Sequence, residues 1–563
     1  MRGPLLPTPQ PWVAALALGL AEALPRLHGT PADPLVGELI AALTAALARG
    51  ELELDLRGPR PVEVSEGAWP DGHRRALAAS PLCGDPDGPL ALEDDRLQWR
   101  RWQRQRQAVI GALIARAGAP EPDAVGEATG PAQPDPAAPS DAEPGPAEPG
   151  APRSLDGRQR QAVAAVLRHG LVLLEGGPGT GKTSTVAAMI AAHRASQPDA
   201  RVHLAAPTGK AAGRLRAATG GTLPCTTLHR LLESRGDRFG RHRGRPLDID
   251  LLVVDEVSMV DLALMGALLE ALPSTCRLVL VGDPAQLPPI APGAVLEDLQ
   301  RPEHRHRLGD AAITLTTTYR NAGAIAAVAA ALRQGLGAAP GPQDPDPIAA
   351  IRPLLQGLKS TDNLQWRPCS PRTLPPELLE RLRRHQNELA RLAGGCRPGS
   401  EQGCRALLAE RDRLLVMAPQ RQGRWGLEAI HRTLLGDRRD GDLQDLPPGT
   451  PVLCRRNLPE LDLANGDVGV LVGGPGPSAR LLFGDGEGEP LWIHPGQLGG
   501  AAEPALGLTV HKAQGSEAEE VIVLLPSGAA RDGRLLYTAL TRARQRALLL
   551  SAGEDGRAAE GEP

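Results

Sequence analysis

Residues 171–190, "LVLLEGGPGTGKTSTVAAMI", place a glycine-rich loop between an apolar run and a helical pattern. The apolar run predicts a buried strand, and the pattern after the loop predicts a helix. A strand, the spacing GxxxxGK[ST] and a helix in this order predict a phosphate-binding loop. The glycines let backbone N–H groups turn onto phosphate oxygens, and the helix N-terminus adds its dipole.

The residue types in this loop assign its roles. Lys182 is one of only four lysines in the chain and is expected to reach the β- and γ-phosphates of a nucleoside triphosphate such as ATP. Thr183 is expected to hold Mg²⁺. The predicted nucleotide-binding residues of the loop are Gly176, Gly177, Pro178, Gly179, Thr180, Gly181, Lys182 and Thr183.

Two further segments predict parts of the same site. In "LLVVDEVSMVD", residues 251–261, Asp255 is expected to hold Mg²⁺ and Glu256 to polarise the attacking water. In "LVGDPAQLPP", residues 280–289, the position of Gln286 suits sensing of the γ-phosphate. Upstream, Gln159 could bind the edge of adenine, although a solvated helix residue is the alternative interpretation.

The order of apolar runs predicts the fold class. Continuous apolar strands separated by helices indicate α/β architecture with parallel sheets covered on both faces. We predict four regions: a helical partner-docking domain over 1–117, a disordered Pro/Ala-rich linker over 118–153, one lobe over 154–335 and a second lobe over 336–563. Short strands with Gly-rich turns predict a small β-barrel inserted in the second lobe, at about 448–503.

Composition limits the classes of function. The net charge is −4, so a nucleic-acid site must be a local patch rather than a global field. The seven cysteines include no CxxC pair, which favours a reducing compartment. No apolar run reaches the roughly 18 residues that a membrane helix needs, so no membrane partner and a cytoplasmic location are expected. No carboxylate cluster typical of a metal nuclease is evident.

Two arginine-bearing segments distinguish a motor from other phosphate-loop proteins such as kinases or switches. "TTTYRN" carries Arg320 and "YTALTRARQR" carries Arg542. An arginine directed at the γ-phosphate across a cleft stabilises transition-state charge and couples hydrolysis to closure. Both tyrosines of the chain, Tyr319 and Tyr537, lie in these two segments.

The motifs then support a family resemblance. "GGPGTGKT", "LAAPTGKAAGRL", "TLHRLL", "LLVVDEVSMVD", "LVGDPAQLPPIAPGAV", "NGDVGV", "TVHKAQGSE" and "LLYTALTRAR" occur in family order. They resemble superfamily 1 DNA helicases of the 5′-to-3′ class and, more narrowly, the RecD family, the alpha subunits of exodeoxyribonuclease V. The resemblance implies two RecA-like lobes with ATP between them, an SH3-like insert, and single-stranded DNA across the top of the lobes.

The resemblance also implies residue roles, partners and a process. Gln514, Gly515 and Glu517 would lie near the nucleotide, and the loop at about 233–247 would be the strand-splitting pin. RecB-like and RecC-like subunits would complete a heterotrimer that acts on duplex-end and single-stranded DNA in double-strand break repair and recombination. The implied DNA-contacting residues are Pro207, Thr208, Lys210, Thr227, His229, Thr509 and His511.

Alternatives remain open at this stage. The chain could be a stand-alone helicase of the same superfamily, or an assembly subunit whose ATP site is regulatory. The basic run "RRWQRQR", residues 100–106, favours docking to a partner but could equally face DNA. Ala518 stands where the family often has Phe, so either another side chain fills that space or the segment is looser there.

Overall fold

The computed structural model describes residues 11–118, 155–236, 238–319, 323–336, 347–484, 490–526 and 532–553. Within these ranges the strands form two parallel sheets, two antiparallel sheets and one short hairpin. The predicted linker lies outside the described residues from 119 onward, and so does Arg320. No helix in the described part of the chain combines the length and apolar character needed to cross a membrane.

The N-terminal region contains a small sheet that the helical prediction lacked. Its strands pair antiparallel in the order β1-β3-β2. Asp94 and Asp95 form the two-residue turn between β2 and β3 at φ 50° and 63°, the left-handed region used by tight hairpins. The elements are α1 (Pro11–Leu27), α2 (Pro34–Ala48), β1 (Glu53–Asp55), α3 (Asp71–Ala79), α4 (Pro81–Gly84), β2 (Leu90–Glu93), β3 (Arg96–Trp99) and α5 (Arg100–Ala117).

Helix α5 packs on the first lobe. Its apolar face, with Ile110 and Leu113 buried, joins the core that contains Leu171. Arg106 lies 2.7 Å from Glu53, and other arginines of α5 donate to backbone carbonyls of the chain itself. Part of the basic run is therefore used inside the chain, and docking of this region to a partner stays a prediction. The predicted domain boundary at 117 therefore separates α5 from the first lobe, although α5 shares the core of that lobe.

The first lobe is a six-stranded parallel sheet in the order β11-β4-β10-β9-β5-β6. All residues of β4 and β9 are buried, as expected for strands covered on both faces. The elements are α6 (Gly157–Arg168), β4 (Leu171–Gly176), α7 (Lys182–Ser196), β5 (Val202–Ala206), α8 (Gly209–Ala218), β6 (Cys225–Thr227), α9 (Leu228–Leu231), β7 (Ser234–Arg235), β8 (Arg238–Phe239), β9 (Leu251–Val254), α10 (Leu262–Ala271), β10 (Arg277–Gly282), α11 (Val295–Gln300), α12 (Pro302–Leu308) and β11 (Ala312–Leu315).

The predicted pin region contains a short antiparallel hairpin of β7 and β8. At its base, Phe239 packs against the core of the first lobe. Glu233 accepts from Arg241 at 2.8 Å and from Arg245 at 2.5 Å. These contacts hold the base of the hairpin, and the role of a pin stays a prediction.

The second lobe is a five-stranded parallel sheet in the order β12-β21-β20-β13-β19. The region 336–410, which had no assigned fold, supplies one strand and three helices. Helix α13 packs in this lobe's core, in the cluster that contains both Leu332 and Leu549, although the predicted boundary at 335 places it in the first lobe. The elements before the insert are α13 (Ala324–Leu336), α14 (Pro347–Gln356), β12 (Leu364–Cys369), α15 (Pro376–Gly395), α16 (Glu401–Arg411), β13 (Leu414–Ala418) and α17 (Leu427–Leu435).

A five-stranded antiparallel sheet interrupts the second lobe between residues 451 and 504, in the order β17-β16-β15-β14-β18. Its position agrees with the predicted insert, and its closure into an SH3-like barrel stays a prediction. The elements are β14 (Pro451–Cys454), β15 (Val468–Val472), β16 (Arg480–Phe483), β17 (Leu491–Ile493), α18 (Pro495–Leu498) and β18 (Ala502–Pro504), followed by β19 (Leu508–Thr509), β20 (Ala518–Leu525), α19 (Gly533–Leu540) and β21 (Ala543–Ala552).

Candidate nucleotide and DNA site

The candidate site lies at the carboxyl ends of the parallel strands, where open α/β sheets bind ligands. The phosphate loop follows β4, Asp255 and Glu256 follow β9, and Asp283 follows β10. These three strands are neighbours in the order β4-β10-β9. Of the residues assigned to DNA, Thr208 follows β5 and Thr227 ends β6, further along the same edge.

The phosphate loop is stabilised by hydrogen bonds between its own residues. Gly179 and Gly181 have φ values of 75° and 80°, which side chains other than glycine rarely adopt. Lys182 Nζ donates to the carbonyl oxygens of Gly176 at 2.7 Å and Gly177 at 3.0 Å. The ammonium therefore lies inside the loop, where the sequence places it. Helix α7 begins at Lys182, so its first N–H groups face the loop.

Gln159 lies against the phosphate loop. Its Oε1 accepts from the Asp156 N–H at 3.0 Å in a capping box at the start of α6. Its Nε2 is so close to Gly181 that a methyl group added there would lie 2.6 Å away. Tyr319 donates its hydroxyl to Asp156 at 2.7 Å and its N–H to the Gly179 carbonyl. The Oε1 of Gln159 is thus used in the N-terminal cap of α6. Binding of adenine by the Gln159 amide stays a prediction.

Asp255 and Glu256 form a tightly coupled pair of carboxylates. Burial, with the negative charge of Glu256, raises the pKa of Asp255 to about 6. Burial also acts to raise the pKa of Glu256, but the positive charges of Arg542, Arg214 and Lys182 outweigh it and lower that pKa. Glu256 has a φ of 52°, a left-handed conformation that costs a residue with a side chain on the order of 1 kcal/mol or more.

The ligand chemistry at Asp255 and Thr183 fits Mg²⁺. Asp255 offers a carboxylate and Thr183 a hydroxyl, and Mg²⁺ prefers oxygen ligands. In the described ranges no cluster of three or more His, Cys, Asp or Glu side chains could hold a metal alone. The ion would therefore depend on phosphate oxygens of the nucleotide as well as on these two residues.

A cluster of charges joins the two lobes beside Glu256. Arg214 Nη2 lies 3.0 Å from Glu256 Oε1, and Arg542 Nη1 from the second lobe lies 3.9 Å from the same oxygen. Arg214 Nη1 lies 2.7 Å from Glu517 Oε1, and Arg544 lies 3.0 Å from Glu517 Oε2. Burial acts to raise the pKa of Glu517, but Arg214 and Arg542 outweigh it and lower that pKa to about 2.

Gln286 lies in a second contact between the lobes. Its Nε2 is 3.5 Å from Asp283 Oδ2, and its buried Oε1 has no partner in the part of the chain that the structure describes. Tyr537 donates its hydroxyl to the same Asp283 oxygen at 2.7 Å. Gln514, expected beside the nucleotide, is buried and donates to the Leu287 carbonyl at 2.9 Å. Gln514 therefore ties the lobes together through the segment that carries Gln286.

Sequence reasoning missed two arginines in this cleft. Arg214 lies within the quoted "LAAPTGKAAGRL" but was not singled out. Arg333 on α13 lies so close to the phosphate loop that a methyl group at Gly177 would be 3.1 Å from its Nη1. Within the described ranges Arg333 has no hydrogen-bond or ion-pair partner. Arginine is so frequent in this chain that neither position stood out, and only the packing of α8 and α13 distinguishes them.

The residues assigned to DNA do not all lie free at the surface. The hydroxyls of Thr208, Thr227 and Thr509 each accept a backbone N–H at 3.2–3.3 Å and cap local turns. Burial lowers the pKa of both His229 and His511, so neutral imidazoles are favoured at pH 7. No contact distinguishes Pro207, which is half-buried. DNA contact by these residues stays a prediction.

Lys210 contacts the second lobe, and its assignment to DNA stays a prediction. Its Nζ donates to Ser516 Oγ of the second lobe at 3.1 Å, and burial lowers its pKa to about 8. Next to it, a methyl group at Gly515, whose φ is 74°, would lie 2.8 Å from Thr208 Oγ1. The segments assigned to DNA and to the nucleotide therefore meet each other directly between the lobes.

These features define the class. A phosphate loop and an acidic pair on one parallel sheet, with arginines from a second parallel sheet in the same cleft, are typical of a two-lobed P-loop NTPase. The chain matches the family of AAA domains over residues 159–292 and that of UvrD-like helicase C-terminal domains over residues 504–550.

Relatives along the whole chain give the family. The chain is 36% identical to the RecBCD enzyme subunit RecD of Mycolicibacterium smegmatis, covering 96% of this chain and 93% of the relative. It is 33% identical to the RecBCD enzyme subunit RecD of Mycobacterium tuberculosis H37Rv, with 96% and 91% covered. The chain belongs to the RecD family.

Other similarities are partial. The ATP-dependent RecD2 DNA helicase of Deinococcus radiodurans is 32% identical over 72% of this chain and 50% of that protein. Among solved structures, Bacteroides Pif1 bound to ssDNA has 16% identity and a TM-score of 0.40, with 71% of this chain and 92% of that chain covered.

Proposed function

We propose that this chain is an ATP-driven 5′-to-3′ DNA helicase and translocase. The observation that carries the proposal is the cleft between the lobes. There the Lys182 loop and the Asp255–Glu256 pair of one lobe lie with Arg542 of the other, which lies 3.9 Å from Glu256. Such a cleft binds ATP with Mg²⁺, positions water in line with the γ-phosphate, and changes shape when the nucleotide changes.

Membership of the RecD family supports a place in a larger assembly. The relatives at 33–36% identity are named as RecBCD enzyme subunits. We propose that the chain joins RecB-like and RecC-like subunits, loads on single strands at duplex ends, and acts in double-strand break repair and recombination. Nuclease activity is expected in a partner subunit, and a cytoplasmic location remains a prediction.

The ATP-driven mechanism is tested by Lys182→Gln. The ammonium lies inside the phosphate loop, and its loss is expected to abolish DNA-stimulated ATP hydrolysis while leaving assembly with partner subunits intact. Arg201→Gln is the control, because Arg201 is half-exposed and paired with Asp250 at the opposite end of β5. Strand separation retained by Lys182→Gln would overturn the mechanism.

Polarity and assembly need separate measurements. Displacement of streptavidin from the 3′ end of a biotinylated single strand, but not from its 5′ end, is expected for 5′-to-3′ movement. The opposite result would contradict the assigned class. Purification from the native host is expected to recover two partner subunits with the chain, whereas recovery of an active monomer would favour a stand-alone helicase.

A further inference from the structure

Arg214 bridges two carboxylates from different lobes. It lies on α8, and its two terminal nitrogens are divided between Glu256 at 3.0 Å and Glu517 at 2.7 Å. A planar guanidinium can hold two acceptors at fixed angles, which the single ammonium of lysine cannot reproduce. Arg214 is therefore suited to fix the position of one carboxylate relative to the other.

This bridge differs from a surface ion pair. The side chains of Arg214, Glu256 and Glu517 are 29%, 12% and 23% exposed. Exposed pairs contribute little to stability, but removing one partner of a largely buried pair leaves an uncompensated charge. The Arg214 Nε atom is buried and has no hydrogen-bond partner among the described residues, so the terminal nitrogens make the ion pairs of this guanidinium with Glu256 and Glu517.

Glu256 depends on this contact for its direction. Its backbone is in the left-handed region at φ 52°. Arg214 lies 0.9 Å closer to Glu256 Oε1 than Arg542 does, at 3.0 Å against 3.9 Å. If Arg542 turns to the γ-phosphate, Arg214 still holds Glu256. The other carboxylate, Glu517, also pairs with Arg544 of the second lobe. A movement of that lobe therefore moves Glu517 and changes its ion pair with Arg214.

We propose that Arg214 is a positioning residue that orients Glu256 toward the attacking water and couples it, through Glu517, to the second lobe. The inference rests on the proposed function and deepens it. Glu517, itself expected near the nucleotide, lies eight residues after Thr509, which is assigned to DNA. The bridge thus links the residue expected to activate water with the segment expected to contact the strand, and hydrolysis becomes sensitive to DNA.

The test measures ATP hydrolysis and DNA affinity in the full chain with the partners that co-purify. Arg214→Gln is expected to lower the DNA-stimulated kcat about 10²-fold, the loss typical of a misplaced catalytic group, with the affinity for a fluorescent ATP analogue changed less than about threefold. Arg214→Lys keeps the charge without the fork and should show an intermediate loss. Arg201→Gln removes a similar charge elsewhere in the lobe and should match the unsubstituted chain.

A second variant separates coupling from folding. Glu517→Gln removes the acceptor on the second lobe. Its effect and that of Arg214→Gln should not add, so the double variant loses about 10²-fold rather than about 10⁴-fold. In both single variants, ADP with aluminium fluoride should no longer change the affinity for a single-stranded oligonucleotide, as it should in the unsubstituted chain.

Several results would overturn the inference. Full activity of Arg214→Lys would show that the two-carboxylate bridge is not needed. Additive losses, or a retained nucleotide effect on DNA affinity, would show that Arg214 and Glu517 act separately. An unsubstituted chain without DNA-stimulated hydrolysis would overturn the proposed function and this inference with it, whereas an active chain with an unaffected Arg214→Gln would overturn this inference alone.

Discussion

Single residues in the cleft show where sequence reasoning is sufficient. Lys182, Asp255 and Glu256 lie in strand-to-loop segments whose geometry is set locally, so their placement follows from the pattern alone. Lys210 and Gln514 carry no such constraint: their partners, Ser516 and the Leu287 carbonyl, belong to the opposite lobe. Contacts between distant segments depend on how the lobes pack, which no single stretch of sequence records.

His193 predicts a pH dependence of stability. It is 1% exposed, burial and the positive charge of Arg277 lower its pKa, and Asp250 opposes them. Because the unfolded chain binds a proton near pH 6.5 and the folded chain only at lower pH, this histidine's contribution to stability is present above pH 6.5 and is lost below it.

His193→Leu should weaken that dependence. Both ring nitrogens lack partners in the described part of the chain, so a leucine of similar size should be tolerated. Urea unfolding from pH 8 to pH 5.5 is expected to lower the unfolding free energy of the unsubstituted chain more than that of the variant. Equal losses in both would contradict the assignment.

At the scale of elements, the long apolar strands of the parallel sheets were predictable, whereas β12 and the short antiparallel strands were not or only in part. Strands β4, β9 and β10 are continuous apolar runs before polar turns, a pattern that arises from burial on both faces. Strands β2 and β3 are four residues each and alternate little, so the helical pattern around them dominated the prediction. Helix α5 belongs to the N-terminal region in sequence but packs with the first lobe. The periodicity of its sequence predicts an apolar face but not which part of the chain covers that face.

Gly449 tests the junction between the insert and the second lobe. It has a φ of 83°, and an added methyl group would lie 2.4 Å from the backbone nitrogen of Ala390. Gly449→Ala is expected to lower the unfolding free energy by about 3 kcal/mol or more, because left-handed strain and a clash with backbone combine. Gly466→Ala is the control: its φ is 100°, with nothing within 4 Å, so about 1–2 kcal/mol of strain is expected. Equal losses would show that close approach to α15 is unimportant.

Ala518 stands where the family often has Phe, and its surroundings show whether another side chain fills that space. It lines an open cleft with a cavity volume of about 60 Å³, together with Lys210, His385 and Leu415. No neighbour fills this space completely, so Ala518→Phe is expected to raise the unfolding free energy by about 0.5–2 kcal/mol, as cavity-filling changes commonly do. Calorimetry of both proteins tests this, and a lower transition temperature in the variant would show that the cleft cannot accept a ring.

For the whole molecule, the decisive contacts cross between the lobes. In the part of the chain that the structure describes, both lobes meet in a cleft through Tyr537–Asp283, Gln514–Leu287, Lys210–Ser516 and Arg214–Glu517. Each pair joins a segment that follows a strand of the first sheet to a segment of the second lobe. A change in the nucleotide therefore reaches the segments assigned to DNA through direct contacts rather than through the cores of the lobes.

Tyr537→Phe tests whether closure of the cleft limits turnover. Asp283 is fully buried and accepts the Tyr537 hydroxyl at 2.7 Å. Losing that hydroxyl leaves a buried carboxylate without one donor, at a cost of about 1–3 kcal/mol. The contact forms between lobes rather than within one, so this cost should fall on closure. With saturating single-stranded DNA, kcat for ATP is expected to fall about 5- to 150-fold. The thermal transition should move little.

Arg413→Gln, at an exposed ion pair with Glu519, is the control. An unchanged kcat with a lowered transition temperature would instead assign the hydroxyl to folding of the second lobe.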